Sequence, residues 1–263
     1  MNPAMWISKT GVQAQDAKLQ AIANNLANAN TVGFKKDRVV FEDLFYSVEG
    51  QPGAQRADNN TLAPTGVQLG NGTHIVGTQK VFTTGNAQIT SNQFDVMVNG
   101  NGFLQVQRPN GEAGYTRAGQ LGLDANGTLI NAQGLPLVPQ ITVPANATSV
   151  TIGENGTVSA TMPGSTAPQQ LGQLTLTSFI NPAGLQALGE NLFQETAASG
   201  APTEGRPGDA QFGKLKQGAL EASNVQVVEE MVDMIAAQRT YEMNTKVLSA
   251  ADNMLQYLAQ AAR

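Results

Sequence analysis

Apolar residues recur at helical spacing through residues 223–263, a stretch that contains neither proline nor glycine. One series repeats every seven residues, and a further member has the three-four spacing of a coiled-coil seam. Its members are Met231, Met234, Tyr241, Leu248 and Leu255. Ser223 and Gln226 match a capping box, so we expect a helix to start there. At about 1.5 Å per residue this helix extends roughly 60 Å, and its apolar face is too wide for one partner helix.

The first thirty residues carry a second apolar series at the same spacing. Its members are Met5, Val12, Leu19, Ile22 and Leu26. Asn2-Pro3 is a favourable helix start, and only Lys9, Asp16 and Lys18 are charged in this stretch. The pattern predicts a helix that pairs with the C-terminal one. One interpretation is an ordinary two-helix hairpin on a globular domain, and the other is a helix pair whose outer faces are covered by other copies of the protein.

The middle of the chain changes to short alternating runs separated by turn residues. Four Asn-Gly pairs, which favour two-residue hairpin turns, lie between these runs. They are Asn99-Gly100, Asn110-Gly111, Asn126-Gly127 and Asn155-Gly156. The sequence therefore predicts an α+β fold, in which long N- and C-terminal helices pair as a coiled-coil-like stalk and an antiparallel β domain is inserted between them.

Three regions follow from these patterns. Residues 1–33 and 223–263 are predicted to form a terminal helical domain, and residues 75–199 the β domain. Residues 34–74 and 200–222 form a connecting region with a long extended loop, because glycine, proline, asparagine, glutamine and threonine dominate its centre. This loop is either a flexible linker or an arm that becomes ordered against neighbouring subunits.

Composition narrows the functions that fit. The 263 residues carry a net charge of −5 and no cysteine. Without a basic excess, nucleic acid is not an expected partner, and without cysteine there are no disulfides or thiolate metal sites. No apolar run reaches the length of a membrane span, and the N-terminus lacks the pattern of a cleavable secretory signal.

Candidate chemistry is sparse. His74 is the only histidine, so no histidine pair exists for a metal or a proton relay. Asp124 to Gly127 resembles the start of a calcium loop, but Leu135 stands where the closing glutamate belongs, so a turn is the better interpretation. We predict no catalytic, metal or cofactor site and no enzyme activity. A cell-wall enzyme or carbohydrate-binding module built on the β domain is the alternative from another class.

The stretch IANNLANANTVGFK, residues 22–35, resembles the N-terminal signature of the bacterial flagellar rod and hook family. Residues 223–255 resemble the terminal helix of that family, and residues 95–106 and 115–130 resemble its middle blocks. The signature residues are Asn24, Asn25, Leu26, Asn28, Gly33, Phe34 and Lys35. The segment around residues 41–72 is most similar to members that form the distal rod. Its rod-specific loop includes Gln51, Pro52, Gly53, Leu62 and Pro64.

This resemblance implies a structural subunit that the flagellar type III export apparatus exports without cleaving a signal peptide. Many copies would form the hollow distal rod of the basal body, which crosses the periplasm, transmits torque from motor to hook and conducts exported subunits. The implied partners are other copies of the chain, neighbouring proximal-rod and hook subunits, and the ring proteins of peptidoglycan and outer membrane. A proximal-rod or hook component of the same family is the alternative. No nucleic acid, membrane span or cofactor is expected.

Overall fold

The computed structural model describes residues 3–52, 65–164 and 167–261. It confirms the α+β class, with a helix near each end of the described chain and many antiparallel strands between them. Two compact units are present. Unit 1 comprises Met1–Leu26, Asp37–Gln79 and Val227–Arg263, and unit 2 comprises Ala27–Lys36 and Lys80–Gln226. The three-region division expected from the sequence stays a prediction.

The described residues of unit 1 form two helices and four strands. They are α1 (Pro3–Ala27), β1 (Asp37–Asp43), β2 (Tyr46–Gly50), β3 (Val67–Gly70), β4 (Thr73–Lys80) and α2 (Val227–Ala261). Strand β1 pairs with β4, and β2 pairs with β3 as a separate two-stranded ribbon. Part of the predicted extended loop is therefore strand, with Ser47 opposite Leu69. Helix α2 begins at Val227, later than the predicted start at Ser223.

Unit 2 is built from short antiparallel strands. They are β5 (Ala87–Ile89), β6 (Val96–Asn99), β7 (Leu104–Gln107), β8 (Ala113–Thr116), β9 (Leu121–Leu123), β10 (Leu129–Asn131), β11 (Leu137–Val138), β12 (Ser149–Ile152), β13 (Thr157–Thr161), β14 (Gln169–Gln173), β15 (Leu176–Ser178), β16 (Gln186–Gly189), β17 (Leu192–Gln194), β18 (Thr203–Gly205), β19 (Lys214–Gln217) and β20 (Ala219–Glu221). A short 3-10 helix, Pro182–Gly184, precedes β16.

The strands of unit 2 form small sheets rather than one large one. A five-stranded sheet has the order β11-β7-β8-β17-β16, and a three-stranded sheet has the order β12-β13-β14. Two-stranded pairs are β9 with β10, β15 with β18, β6 with β19, and β5 with β20. Alternation builds the core: in β12, Val150 and Ile152 point inward while Ser149 and Thr151 are exposed.

Two buried clusters hold the described part of unit 2 together. The larger is aliphatic and gathers residues from most of the strands, among them Val96, Leu104, Leu129, Val158 and Leu176. The smaller is mainly aromatic and centres on Phe103, Tyr115, Phe179 and Phe193. The rings of Tyr115 and Phe179 meet edge to face, with centroids 4.8 Å apart. Such pairs add about 0.5–1.5 kcal/mol beyond area burial.

Three of the four predicted hairpin turns are confirmed. Asn110-Gly111, Asn126-Gly127 and Asn155-Gly156 each join two strands that pair with each other. The prediction for Asn99-Gly100 is wrong, because β6 pairs with β19 and β7 pairs with β8. Gly100 still requires its residue type, since its φ of 114° is in the region that favours glycine.

Candidate assembly surfaces

The two helices of unit 1 approach closely along a line of small and polar residues. A Cβ placed on Gly11 would lie 2.9 Å from the Nδ2 atom of Asn244. Farther along, Asn25 Nδ2 donates to Glu230 Oε2 at 3.2 Å. Because one contact joins earlier residues of α1 to later residues of α2 and the other does the reverse, the helices run antiparallel.

The face of α2 that carries these contacts consists of small or polar side chains rather than large apolar ones. Glu230, Ala237 and Ala251 are buried, and with Asn244 they form a strict seven-residue series. A seven-residue repeat keeps one face of a helix turned to its partner. Small side chains on that face let the two helices come close together.

The predicted packing residues occupy different environments. Ile22 is buried, and Met5, Val12, Leu19 and Leu26 are half-buried on α1. On α2, Met234 and Leu248 are half-buried, whereas Tyr241 and Leu255 lie just on the exposed side. Met231 is 51% exposed. Along α2, the series Met234, Tyr241, Leu248 and Leu255 therefore alternates with the small buried series at steps of three or four residues. Met231 falls outside this pattern.

A separate apolar stripe on α2 is uncovered. Val228, Met231, Val232 and Ile235 are each more than half exposed, and their spacing of three and four residues places them on one face. We call this set the outer stripe. At about 100° per residue it lies roughly opposite the small seam. Contiguous exposed apolar surface is rare on proteins that remain monomeric and marks interaction sites.

The β2–β3 ribbon also exposes apolar side chains. Tyr46, Val48, Val67 and Leu69 are each about half exposed, and the adjoining Phe45 is 91% exposed. An isolated two-stranded ribbon is only marginally stable in water. Of the rod-specific loop residues, Gln51 and Pro52 are exposed next to this ribbon. Gly53, Leu62 and Pro64 lie outside the described residues.

The only histidine lies beside acidic residues. A cavity of about 360 Å³ is lined by Glu42, Asp43, Tyr46 and His74, among others. A hydrogen bond to Asp43 raises the pKa of the Tyr46 phenol. Within the described ranges, no group of three potential metal-binding side chains comes together, and no described helix is long and apolar enough to cross a membrane.

The signature residue Asn25, near the end of α1, is hydrogen-bonded to the start of β1. Its side-chain Oδ1 accepts from the Asp37 backbone N–H at 2.8 Å, and its Nδ2 donates to the Asp37 carbonyl at 2.9 Å. Asn24 Nδ2 donates to the Asp37 carboxylate at 3.3 Å. Because Asn25 also reaches Glu230, one buried amide connects α1, β1 and α2.

The signature residues Asn28, Gly33, Phe34 and Lys35 lie in unit 2. Asn28 Oδ1 accepts from the hydroxyl of Thr31 at 3.1 Å, and Phe34 is buried with the Lys80 ammonium 5.1 Å from its ring centre. Gly33 has a φ of 71°, and a Cβ on it would lie 2.8 Å from the Ala118 backbone nitrogen. Both the backbone angle and the space therefore require glycine.

Lys35 is fully buried in a cluster of three charges. Its Nζ lies 2.5 Å from Glu221 Oε1 and donates to the Thr83 carbonyl at 2.7 Å. Arg117 Nη1 reaches Glu221 Oε2 at 3.3 Å. Burial lowers the pKa of Lys35, and the charge of Glu221 opposes that shift.

Sequence reasoning found Lys35 but missed Glu221 and Arg117. A signal was present, because Glu221 interrupts the otherwise apolar run Ala219–Ala222. A charged residue inside such a run indicates a buried partner, since lone buried charges are costly.

Family models match three parts of this chain. The model described as "Flagella basal body rod protein" matches residues 6–35, the "Flagellar hook protein FlgE/F/G D1 domain" matches residues 97–160, and the "Flagellar basal body rod FlgEFG protein C-terminal" matches residues 216–261. The chain has a helix near each end, uncovered apolar faces and these three matches. Together they place it in the class of flagellar rod and hook proteins.

Full-length relatives narrow this class. The chain is 48% identical to the flagellar basal-body rod protein FlgG of Buchnera aphidicola subsp. Acyrthosiphon pisum, over 99% of this chain and 100% of the relative. It is 46% identical to FlgG of Borreliella burgdorferi, over 97% of both chains, and 36% identical to FlgG of Bacillus subtilis, over 99% of both. FlgF of Caulobacter vibrioides is 31% identical over 94% of this chain and 93% of the relative. The chain belongs to the family of flagellar basal-body rod proteins, FlgG.

Proposed function

We propose that this chain is the structural subunit of the distal rod of the bacterial flagellum. Many copies would assemble into a hollow tube that transmits torque from motor to hook and conducts exported subunits. The observation that carries this proposal is the uncovered apolar surface of unit 1 in a chain similar over its full length to basal-body rod proteins. The role needs no catalytic group, and we propose that the protein is not an enzyme.

Tube assembly requires two different faces of one subunit to meet, because identical faces close into a dimer. Unit 1 offers two such faces, the outer stripe of α2 and the β2–β3 ribbon. Met231 within the stripe and Met243 and Met254 beyond it are exposed. Methionine side chains adapt to slightly different neighbours, which suits a helical lattice.

We infer that α1 and α2 pair as the coiled-coil-like stalk predicted from the sequence. The close contacts at Gly11 and at Asn25 support this inference, and the half-buried Met234 and Leu248 are placed to extend the packing. The stalk would form the inner tube domain, 1–33 and 223–263, and residues 75–199 would form the β domain. Regions 34–74 and 200–222 would connect them.

We further propose that residues 46–72 bridge neighbouring subunits and stiffen the tube. The exposed side chains of β2 and β3 support this role, because an uncovered ribbon gains stability only when something packs on it. Replacing residues 46–72 with a Gly/Ser linker of equal length should give a more flexible or curved tube. A control replacement in the β12–β13 turn, 153–156, should leave the tube straight. An unchanged straight rod after the first replacement would refute this role.

Assembly in the basal body brings further proposed partners. These are the proximal-rod and hook subunits at the two ends, the surrounding ring proteins, and the type III export apparatus that delivers the chain.

Electron microscopy of basal bodies from cells that lack the chain tests the proposal. Rods should stop short of their distal segment, and expression of the intact chain should restore full length. Full-length rods in its absence would overturn the proposal. A missing proximal segment or hook would instead assign the chain to that position, and hydrolysis of peptidoglycan by the purified chain would assign it to the enzyme class.

A further inference from the structure

The chain passes between its two units at four places, after residues 26, 36, 79 and 226. On the unit 2 side three of these places, after residues 36, 79 and 226, are flanked by residues 32–36, 80–86 and 219–226, which we call the exit segments. They are far apart in sequence, and a group of buried and part-buried polar contacts inside unit 2 joins all three.

Glu221 contacts both of the other exit segments. Its backbone carbonyl accepts from Gly33 N–H at 2.8 Å. Its carboxylate accepts from the Lys35 ammonium at 2.5 Å and from Gly85 N–H at 2.9 Å. The side chain has no exposed surface, so these partners, together with Arg117, take the place of water around it.

Asn224 makes the same connection without a charge. Its Oδ1 accepts from Lys36 N–H at 2.8 Å, and its Nδ2 donates to the Val81 carbonyl at 2.7 Å. Val81 N–H in turn donates to the Lys36 carbonyl at 2.9 Å. The two backbones that Asn224 touches are therefore also bonded to each other.

A buried charge cluster of this kind adds little net stability. The cost of removing three charges from water offsets most of their attraction, and apolar replacements of equal volume are often neutral or stabilising. What the cluster does impose is one geometry, because a slipped register would leave Lys35 or Glu221 buried without its partner. Arg117 completes the arrangement, and its Nη2 also donates to the Gly100 carbonyl at 2.7 Å.

We propose that Glu221 and Asn224 are positioning residues that lock the three exit segments of unit 2 in a single register, so that the segments open and close as one group. This inference concerns the single chain and does not depend on the proposed function. A local lock of this kind controls exchange of the exit segments alone, whereas a general contribution to stability affects exchange throughout unit 2.

Hydrogen exchange of dilute protein, read by mass spectrometry, tests the lock. In Glu221→Gln, exchange of all three exit segments should accelerate by about tenfold or more, while core peptides spanning 129–143, which hold four buried core residues, should stay within about twofold of the unmodified chain. The matched control is Glu154→Gln, which removes a solvent-exposed pair with Lys214 and should change neither set.

Acceleration of the core to the same extent would overturn the lock, since it would show that Glu221 only stabilises the unit as a whole. Unchanged exchange at the exit segments would overturn it as well. Asn224→Ala keeps every charge and serves if Glu221→Gln does not fold. It should accelerate exchange around Lys36 and Val81 and leave 129–143 unchanged, and the opposite pattern would contradict the proposal.

Discussion

Substitution of two valines in the outer stripe separates an effect on assembly from an effect on folding. Val228 and Val232 expose 76% and 62% of their surface in the single chain. Threonine has nearly the same shape and helix propensity as valine. The double change Val228→Thr with Val232→Thr should therefore alter the unfolding free energy of the monomer by less than about 0.5 kcal/mol per site.

Assembly should respond much more strongly. Complete burial of a valine contributes about 1.5–2 kcal/mol, so covering the exposed part of both side chains contributes roughly 2–3 kcal/mol. Threonine forfeits much of this and places two hydroxyls in the contact, at about 1 kcal/mol each. We expect a net loss of about 2–4 kcal/mol, which raises the critical concentration for assembly by about 30-fold to 700-fold.

Sedimentation of polymer gives the critical concentration, and urea unfolding of dilute protein gives the stability of the monomer. Val158→Thr is the control, because Val158 is fully buried in β13 of unit 2. That change should lower the unfolding free energy by about 1–3 kcal/mol. Two results would refute the assignment of the outer stripe as an assembly surface. One is a critical concentration of the double variant equal to that of the unmodified chain, and the other is monomer destabilisation comparable to that of the control.

Two further predictions concern unit 2. Gly33→Ala should lower its unfolding free energy by about 2–4 kcal/mol in thermal or urea unfolding, because it adds a steric clash with Ala118 to the strain of a positive φ. Gly111→Ala also has a positive φ but meets nothing within 4 Å, so it should cost only about 1 kcal/mol; equal effects would contradict this reasoning. Burial, together with the nearby charges of Glu195 and Glu204 and a hydrogen bond to Glu195, raises the pKa of Tyr115 to about 12 from its ordinary 10.0. Because the unfolded phenol ionises first, stability that is complete below pH 10 should fall towards pH 12, and Tyr115→Phe should remove this part of the alkaline decline in unfolding measurements.

Local signals in the sequence predicted much of the fold. Period and composition identified both terminal helices, and Asn-Gly pairs identified three hairpins, because each of these depends on a few neighbouring residues. The same rule failed at Asn99-Gly100, where the partner of β6 is β19, more than a hundred residues away. It also missed the turn at Glu190 and Asn191, which both have positive φ values without being glycine.

Non-local contacts were the part that sequence reasoning could not supply. Searching for apolar repeats selected Met231, which is exposed, and passed over Ala237 and Ala251, which are buried. Close helix approach favours small side chains, and these carry little hydrophobic signal. Lys35 stood out as a signature residue, but its partner Glu221 is 186 residues away, and only the folded chain brings them together.

Deuterium exchange of the terminal helices, compared between dilute monomer and assembled rods, tests the central claim most directly. If their uncovered faces are assembly surfaces, residues 5–28 and 228–258 should exchange rapidly in the monomer, where ordering them is not offset by enough burial. The same residues should become strongly protected in the rod. Strong protection already present in the dilute monomer, and unchanged on assembly, would contradict the account.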